Sequence, residues 1–318
     1  MKENHYQVWI FAVLYALLLT YIVPWSVVTG REFADIFSYV SRIAYLAEGG
    51  KEFPHVGIAW LLDEPLWRLI LRAIGYLFDD HRLALYIISF IAMLFTASFL
   101  FKRVHYYIGM ILMFNPMVID LFVGQMRSAL AFSILLLAYD ATSKKQAIIL
   151  IIFAILIHSS MPLFIAIYFL LYKLNQHVES KKFYLISLFT ALFFALFMQY
   201  GLELVLTFLG DRHAGAEEPS RGSSLAYSIV WFMIGVIIAT FATFSNEKER
   251  VLAAYAITML GFFFFASIFN IYAQRFVALS MPLIIISVSY LPKHFRQGTY
   301  AIFFAYNLLM FKYWIANG

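Results

Sequence analysis

Two arginines of this 318-residue chain stand where apolar runs begin after a polar turn. Gly124-Gln125-Met126-Arg127 joins two such runs, and Gln274-Arg275 repeats the arrangement between runs ending at Tyr272 and starting at Phe276. A helix start offers unpaired backbone N–H groups and a partial positive charge, so a guanidinium placed there makes an anion site. Together Arg127 and Arg275 would clamp a pyrophosphate and neutralise charge developing on a leaving group, with Gln125, Tyr272 and Gln274 as flanking ligands. The alternative is structural pairing of these arginines with Asp120, Asp35 or Glu64. His158, in Ile157-His158-Ser159-Ser160, ends a run beside two hydroxyls. Neutral imidazole takes a proton near neutral pH, which makes His158 the candidate general base; the other reading is a helix-terminal His bonding carbonyls or its neighbouring hydroxyls.

Carboxylates come from two amphipathic segments. From Phe33 to Ala47 the apolar residues Phe33, Ile36, Phe37, Val40, Ile43, Ala44 and Ala47 follow helical spacing, while Glu32, Asp35, Tyr39 and Arg42 share the opposite face. That stripe, with Arg31 just before it, is either a sugar- or phosphate-binding edge or a solvated face. From Pro65 to Phe78 a second helix is predicted, with Asp63-Glu64-Pro65 as its start. Glu64, Arg68 and Arg72 fall at four-residue intervals, so Glu64 is either a cap or ion-pair partner of Arg68, or a catalytic or sugar-binding carboxylate.

These residues are positioned by a membrane-embedded framework. The chain is 63% hydrophobic and 13% charged, which excludes a single soluble core. At about 20 apolar residues per crossing, its length holds roughly ten or eleven helices and no separate soluble domain. Spans are predicted near 8–28, 83–101, 104–123, 127–141, 146–158, 161–172, 183–200, 226–244, 251–272, 276–291 and 299–315, as one domain with an amphipathic, partly re-entrant segment at 30–82 and a loop at 201–225. The loop sequence Gly210 to Ser224 is rich in turn residues, as a mobile lid or a plain surface loop would be.

Basic turns at 102–103, 144–145, 173–182, 246–250 and 293–296 alternate onto the side that holds Lys2, which the positive-inside rule makes cytoplasmic. Nine of eleven Lys then lie inside and nine of twelve Arg outside. Arg carries the rigid fork suited to phosphate, so the outer face reads as anion-recognising or, alternatively, as anchored to lipid headgroups. The short pair 146–158 and 161–172 turns at His158-Ser159-Ser160-Met161-Pro162, and a polar turn at that depth must line protein or water. No metal-ligand spacing, nucleophile elbow or P-loop occurs, so neither metal nor nucleotide cofactor is expected, and nothing points to nucleic acid. The chain has no Cys and hence no disulfide.

The order of Asp35 and Tyr39, Glu64-Pro65, Gln125-Met126-Arg127-Ser128-Ala129-Leu130-Ala131, the Lys-rich turn, Ala154 to Ser160, and Gln274-Arg275-Phe276 resembles the EpsG-like branch of Wzy-type polysaccharide polymerases. The resemblance implies an all-α polytopic, GT-C-like glycosyltransferase of a bacterial inner membrane. Such enzymes join oligosaccharide repeat units carried on undecaprenyl pyrophosphate at the periplasmic face, alongside a flippase and a chain-length regulator. It assigns Arg127 and Arg275 to the pyrophosphate, His158 to the base, and Asp35 and Glu64 to alternative bases or acceptor-sugar ligands. A ligase of the same fold is the nearest other function. A flippase or transporter would need charged residues along the spans, whose centres are almost bare of them.

Overall fold

The computed structural model describes residues 5–30, 32–50, 60, 63–209 and 224–316. Among these residues there is no β-strand; the chain is an all-α, multi-pass membrane protein. Arg31 and residues 210–223 of the expected loop lie outside the described residues.

The helices run in chain order: α1 (His5–Leu17), α2 (Trp25–Thr29), α3 (Ala34–Ala47), α4 (Pro65–Leu77), α5 (His81–Phe101), α6 (Tyr106–Met113), α7 (Pro116–Ile119) and α8 (Met126–Tyr139). They continue as α9 (Lys144–Ile157), α10 (Met161–Asn175), α11 (Ser180–Leu196), α12 (Leu202–Leu209), α13 (Leu225–Phe241), α14 (Glu247–Ile268), α15 (Gln274–Ser289) and α16 (Lys293–Ala316). Short π-helical turns extend α1 to Ile22, α7 to Gly124 and α11 to Gly201. Among the described residues four segments are long and apolar enough to cross a membrane, His5–Ile22, His81–Phe101, Lys182–Val205 and Glu247–Ile268, and the bent pair Tyr106–Met113 with Pro116–Gly124 makes a fifth if it is one span. A helix stands at every expected span, but α8, α10, α13 and α15 are apolar helices of only 14, 15, 17 and 16 residues. The higher count is therefore reached only with helices shorter than a perpendicular crossing requires.

Side chains set several of the boundaries. Asp80 accepts from the Leu83 N–H at 3.0 Å to start α5, Ser143 from Gln146 at 3.1 Å to start α9, and Asn246 from Glu249 at 3.0 Å to start α14. The expected single span 104–123 is two helices, α6 and the α7 segment, bent by 81°. Asn115 caps α7 through the Met117 N–H at 2.8 Å and Pro116 opens it, so the Asn-Pro pair ends one helix and begins the next. The break is satisfied from α16. Asn307 accepts from Asn115 at 2.6 Å and donates to the carbonyls of Leu112 and Phe114 at 3.2 and 3.3 Å. Both amides are buried, which meets the requirement that backbone groups freed inside a membrane protein find partners within it. A second difference follows α11: residues 202–209, expected to begin a loop, form α12.

The chain divides into two compact units, residues 1–162 with 304–318, and residues 163–303. In the second unit α14 is the central helix, packed by α11, α13 and α15. Its Gly261 faces Ala191 and Leu188 of α11 so closely that an added Cβ would stand 3.0 Å from the Ala191 methyl. In the first unit α5 packs on α1 and α8, α8 on α9, and α4 on α3 and α9. Helix α4 buries Trp67, Leu71 and Ile74 and exposes Leu69, Tyr76 and Leu77, the division expected of an amphipathic helix. Gly75 admits α3 to its backbone: a Cβ there would meet Ala47 at 3.0 Å and Ile43 at 3.2 Å. The two helices predicted at 33–47 and 65–78 are thus a packed pair, and α4 carries its N-terminus to the end of α9.

Candidate functional site

Three helix ends of the first unit converge on one carboxylate. Glu64 immediately precedes α4, Arg127 lies in the first turn of α8, and His158 directly follows α9. The Glu64 carboxylate is buried and forms an ion pair with Nη1 of Arg127 through Oε2. Its Oε1 stands 2.6 Å from Nδ1 of His158 and accepts from Ser159 twice, from the backbone N–H at 3.2 Å and the hydroxyl at 3.3 Å.

Backbone geometry explains why Glu64 reaches α8 and α9. Its φ of 53° and ψ of 59° place it in the left-handed region, unusual for a residue with a Cβ. The chain therefore enters α4 through a sharp turn, and Glu64 makes no side-chain cap to that helix. Such a conformation costs on the order of 1 kcal/mol or more and persists where surrounding contacts hold it; here those contacts come from Arg127, His158 and Ser159. Arg68, the sequence-neighbour expected to pair with Glu64, instead pairs with Asp63 at 2.9 Å. Two adjacent carboxylates are thereby engaged by two different guanidiniums.

The electrostatics favour an ionised Glu64. Burial alone would push its pKa up, but the hydrogen bond from His158, the charges of Arg127 and His158, and the Ser159 N–H outweigh burial and bring it below the usual 4.5. A carboxylate at Nδ1 favours the tautomer that carries the proton there, leaving the lone pair on Nε2 to accept another. This is the relation of acid to imidazole that orients a general base and stabilises the imidazolium formed. Arg127 contributes a cation beside that base, and its Nε–H is buried without a partner. Among the described residues no group of three or more His, Asp or Glu side chains is arranged to hold a metal ion.

The remaining sequence candidates are placed as follows. Gln125 caps the turn before α8 and donates to Asp120 at 3.3 Å; its Oε1 is buried without a partner. Asp35, Tyr39 and Arg42 lie on α3. Tyr39 does not share a solvated stripe with Asp35: it is buried, its ring edge-on to Trp67 at 5.3 Å. The apolar body of a phenol packs as readily as any aromatic, so α3 turns Tyr39 with Ile36, Ile43 and Leu46 into its buried face. Arg275 and Gln274 open α15 in the second unit, and the exposed Arg275 guanidinium lies over the Tyr272 ring at 5.4 Å. Two members of the cluster escaped sequence reading, Ser159 and Asp63. Ser159 was visible only as a hydroxyl beside His158. Asp63 was masked by the helical spacing of Glu64 and Arg68.

The sequence profile of the EpsG family matches residues 9–317, nearly the whole chain. No curated protein and no solved structure matches the chain.

Proposed function

Because the chain belongs to the EpsG family, a family of polysaccharide-polymerase-like membrane proteins, we propose that it is a bacterial polysaccharide polymerase. In this reading it joins oligosaccharide repeat units carried on undecaprenyl pyrophosphate at the periplasmic face of the cytoplasmic membrane. The observation that carries the reading is the Glu64-bound imidazole of His158 with Arg127 on the same carboxylate.

The chemistry follows from that geometry. A hydroxyl of the acceptor sugar gives its proton to Nε2 of His158 as its oxygen bonds to the anomeric carbon of the donor. The bond from that carbon to the pyrophosphate oxygen breaks, the leaving pyrophosphate takes the electron pair, and Arg127 meets its charge. Glu64 positions His158 and stabilises the imidazolium rather than taking the proton itself. Asp35 and Arg42 of α3 are acceptor-sugar ligands.

The test is polymerisation of a lipid-pyrophosphate-linked repeat unit by the purified protein with EDTA present, comparing wild type with His158→Ala, Arg127→Ala and Arg275→Ala. A glycan ladder made by wild type and lost in His158→Ala and Arg127→Ala is the expected result. Transfer of single glycans to a different lipid acceptor would replace polymerase by ligase, and neither product would turn the assignment to transport.

A further inference from the structure

We propose that Asp63 and Arg68 are a positioning pair for the His158 base, an ionic staple across the start of α4 that fixes the backbone of Glu64 and, through it, the imidazole. The proposal rests on the reading above in taking His158 as the base. Both residues act without touching a substrate.

Helix α4 starts at Pro65, so Glu64 is its N-cap, Asp63 the residue before the cap and Arg68 the fourth residue of the helix. A contact between those two positions fixes the angle at which a chain enters a helix. It is ordinarily made by two apolar side chains. Here it is an ion pair of 2.9 Å, from Nη2 of Arg68 to Oδ1 of Asp63. The two side chains keep only 20% and 5% of their surface exposed, and a pair so sheltered is screened less than one at the surface. The Arg68 N–H also donates to the Glu64 carbonyl at 3.1 Å, so Arg68 holds the chain on both sides of the Glu64 Cα.

Glu64 needs that hold. A polar N-cap side chain ordinarily turns back to accept from the first N–H groups of its own helix, and Glu64 makes no such bond. Its carboxylate goes instead to Arg127, His158 and Ser159. Its backbone keeps a φ of 53° ahead of a proline, where an extended conformation is the usual one. Released from the staple, Glu64 relaxes toward that extended conformation and its carboxylate leaves Nδ1 of His158. A pair that only fastened α4 would cost stability when removed and leave the chemistry of His158 as it was.

That difference is the test. His158 is modified with diethyl pyrocarbonate in the full-length, detergent-purified protein, and the rate is read by mass spectrometry. The reagent takes the lone pair of a neutral imidazole, and a carboxylate holding the opposite N–H makes that lone pair a better electron donor. Glu64→Gln should therefore slow the modification by about threefold or more. Asp63→Asn should match that loss within about twofold, and the double variant should be no slower than Glu64→Gln alone, because the pair acts through Glu64. In the polymerisation assay Asp63→Asn should lower kcat about tenfold with KM within about threefold of wild type. Where Asp63→Asn is not monodisperse, Arg68→Gln removes the same ion pair from its other end and decides. Wild-type reactivity of His158 in a folded variant, additive losses in the double variant, or an unreactive His158 in wild type overturns the positioning role. Staple and polymerase fail separately: reactivity that follows the pair without any glycan ladder removes the polymerase alone, and a ladder with His158 reactivity independent of the pair removes the staple alone.

Discussion

Glu64 and His158 are 94 positions apart in the chain and meet at 2.6 Å, Oε1 to Nδ1. That contact ties the start of an amphipathic helix to the end of a short apolar one and selects the nitrogen from which His158 can act. Ser159 contributes two further donors to the same oxygen, so the carboxylate is fixed before a substrate arrives.

Glu64→Gln keeps the shape of the side chain and removes its charge. The polymer ladder should form on the order of a hundredfold more slowly or worse, because the imidazolium loses its counter-charge. Single-turnover rates at saturating substrate check this, and a rate within about threefold of wild type would show that Glu64 does not orient the base.

The same substitution has a signature in acid. The ionised carboxylate is favoured in the folded protein, which lowers the pKa of Glu64 from 4.5. Its contribution to stability is accordingly complete above the unfolded-state value and is lost as pH falls through the lower folded value. Melting temperatures of wild type and Glu64→Gln, measured from neutral pH down through pH 4, should converge at the acid end.

Arg127→Lys preserves one positive charge and should still lose about tenfold or more in turnover, since a point ammonium cannot hold Glu64 and a phosphate by separate edges. Wild-type turnover in a folded Arg127→Lys protein would remove Arg127 from the site.

Asn307→Ala strips the break between α6 and α7 of a hydrogen-bond acceptor and of the donor to two carbonyls. The detergent-solubilised protein should be destabilised by about 1–3 kcal/mol, the usual cost of leaving buried polar groups unpaired. Denaturant unfolding checks it, and an Asn115→Ala variant should add little further loss because the two residues serve one network.

An alkaline-phosphatase fusion after Ser160 should be active, as a His158 turn on the outer side requires. An inactive fusion would invert the proposed topology and the side of the membrane on which the chemistry takes place.

The helices were largely legible because apolar runs separated by short basic turns mark them in the sequence. Arg127, Glu64 and His158 were legible as individual chemical groups from residue type and position at helix ends. Their convergence was not. Helical spacing pairs Glu64 with Arg68, whereas the left-handed backbone at Glu64 sends its carboxylate to α8 and α9, a dihedral that spacing does not encode. The break at Asn115-Pro116 was written in the dipeptide, which favours a turn, but the apolar residues on both sides of it read as one span and concealed the bend. Tyr39 shows the opposite failure. Its hydroxyl marked it as polar, and its ring went to the core.

The two helices that carry Arg127 and His158, α8 and α9, have 14 residues each. At about 1.5 Å per residue each rises about 21 Å, some two-thirds of a hydrocarbon layer of about 30 Å. Lipids around so short a pair adjust by local thinning of the bilayer. On the proposed reading, the headgroup plane dips toward the ends of those helices, so that a phosphate carried on a lipid would meet Arg127 without its tail being drawn out of the leaflet. Delivery of such a lipid would be a matter of lateral diffusion, with the thickness of the surrounding membrane as a variable of the proposed reaction.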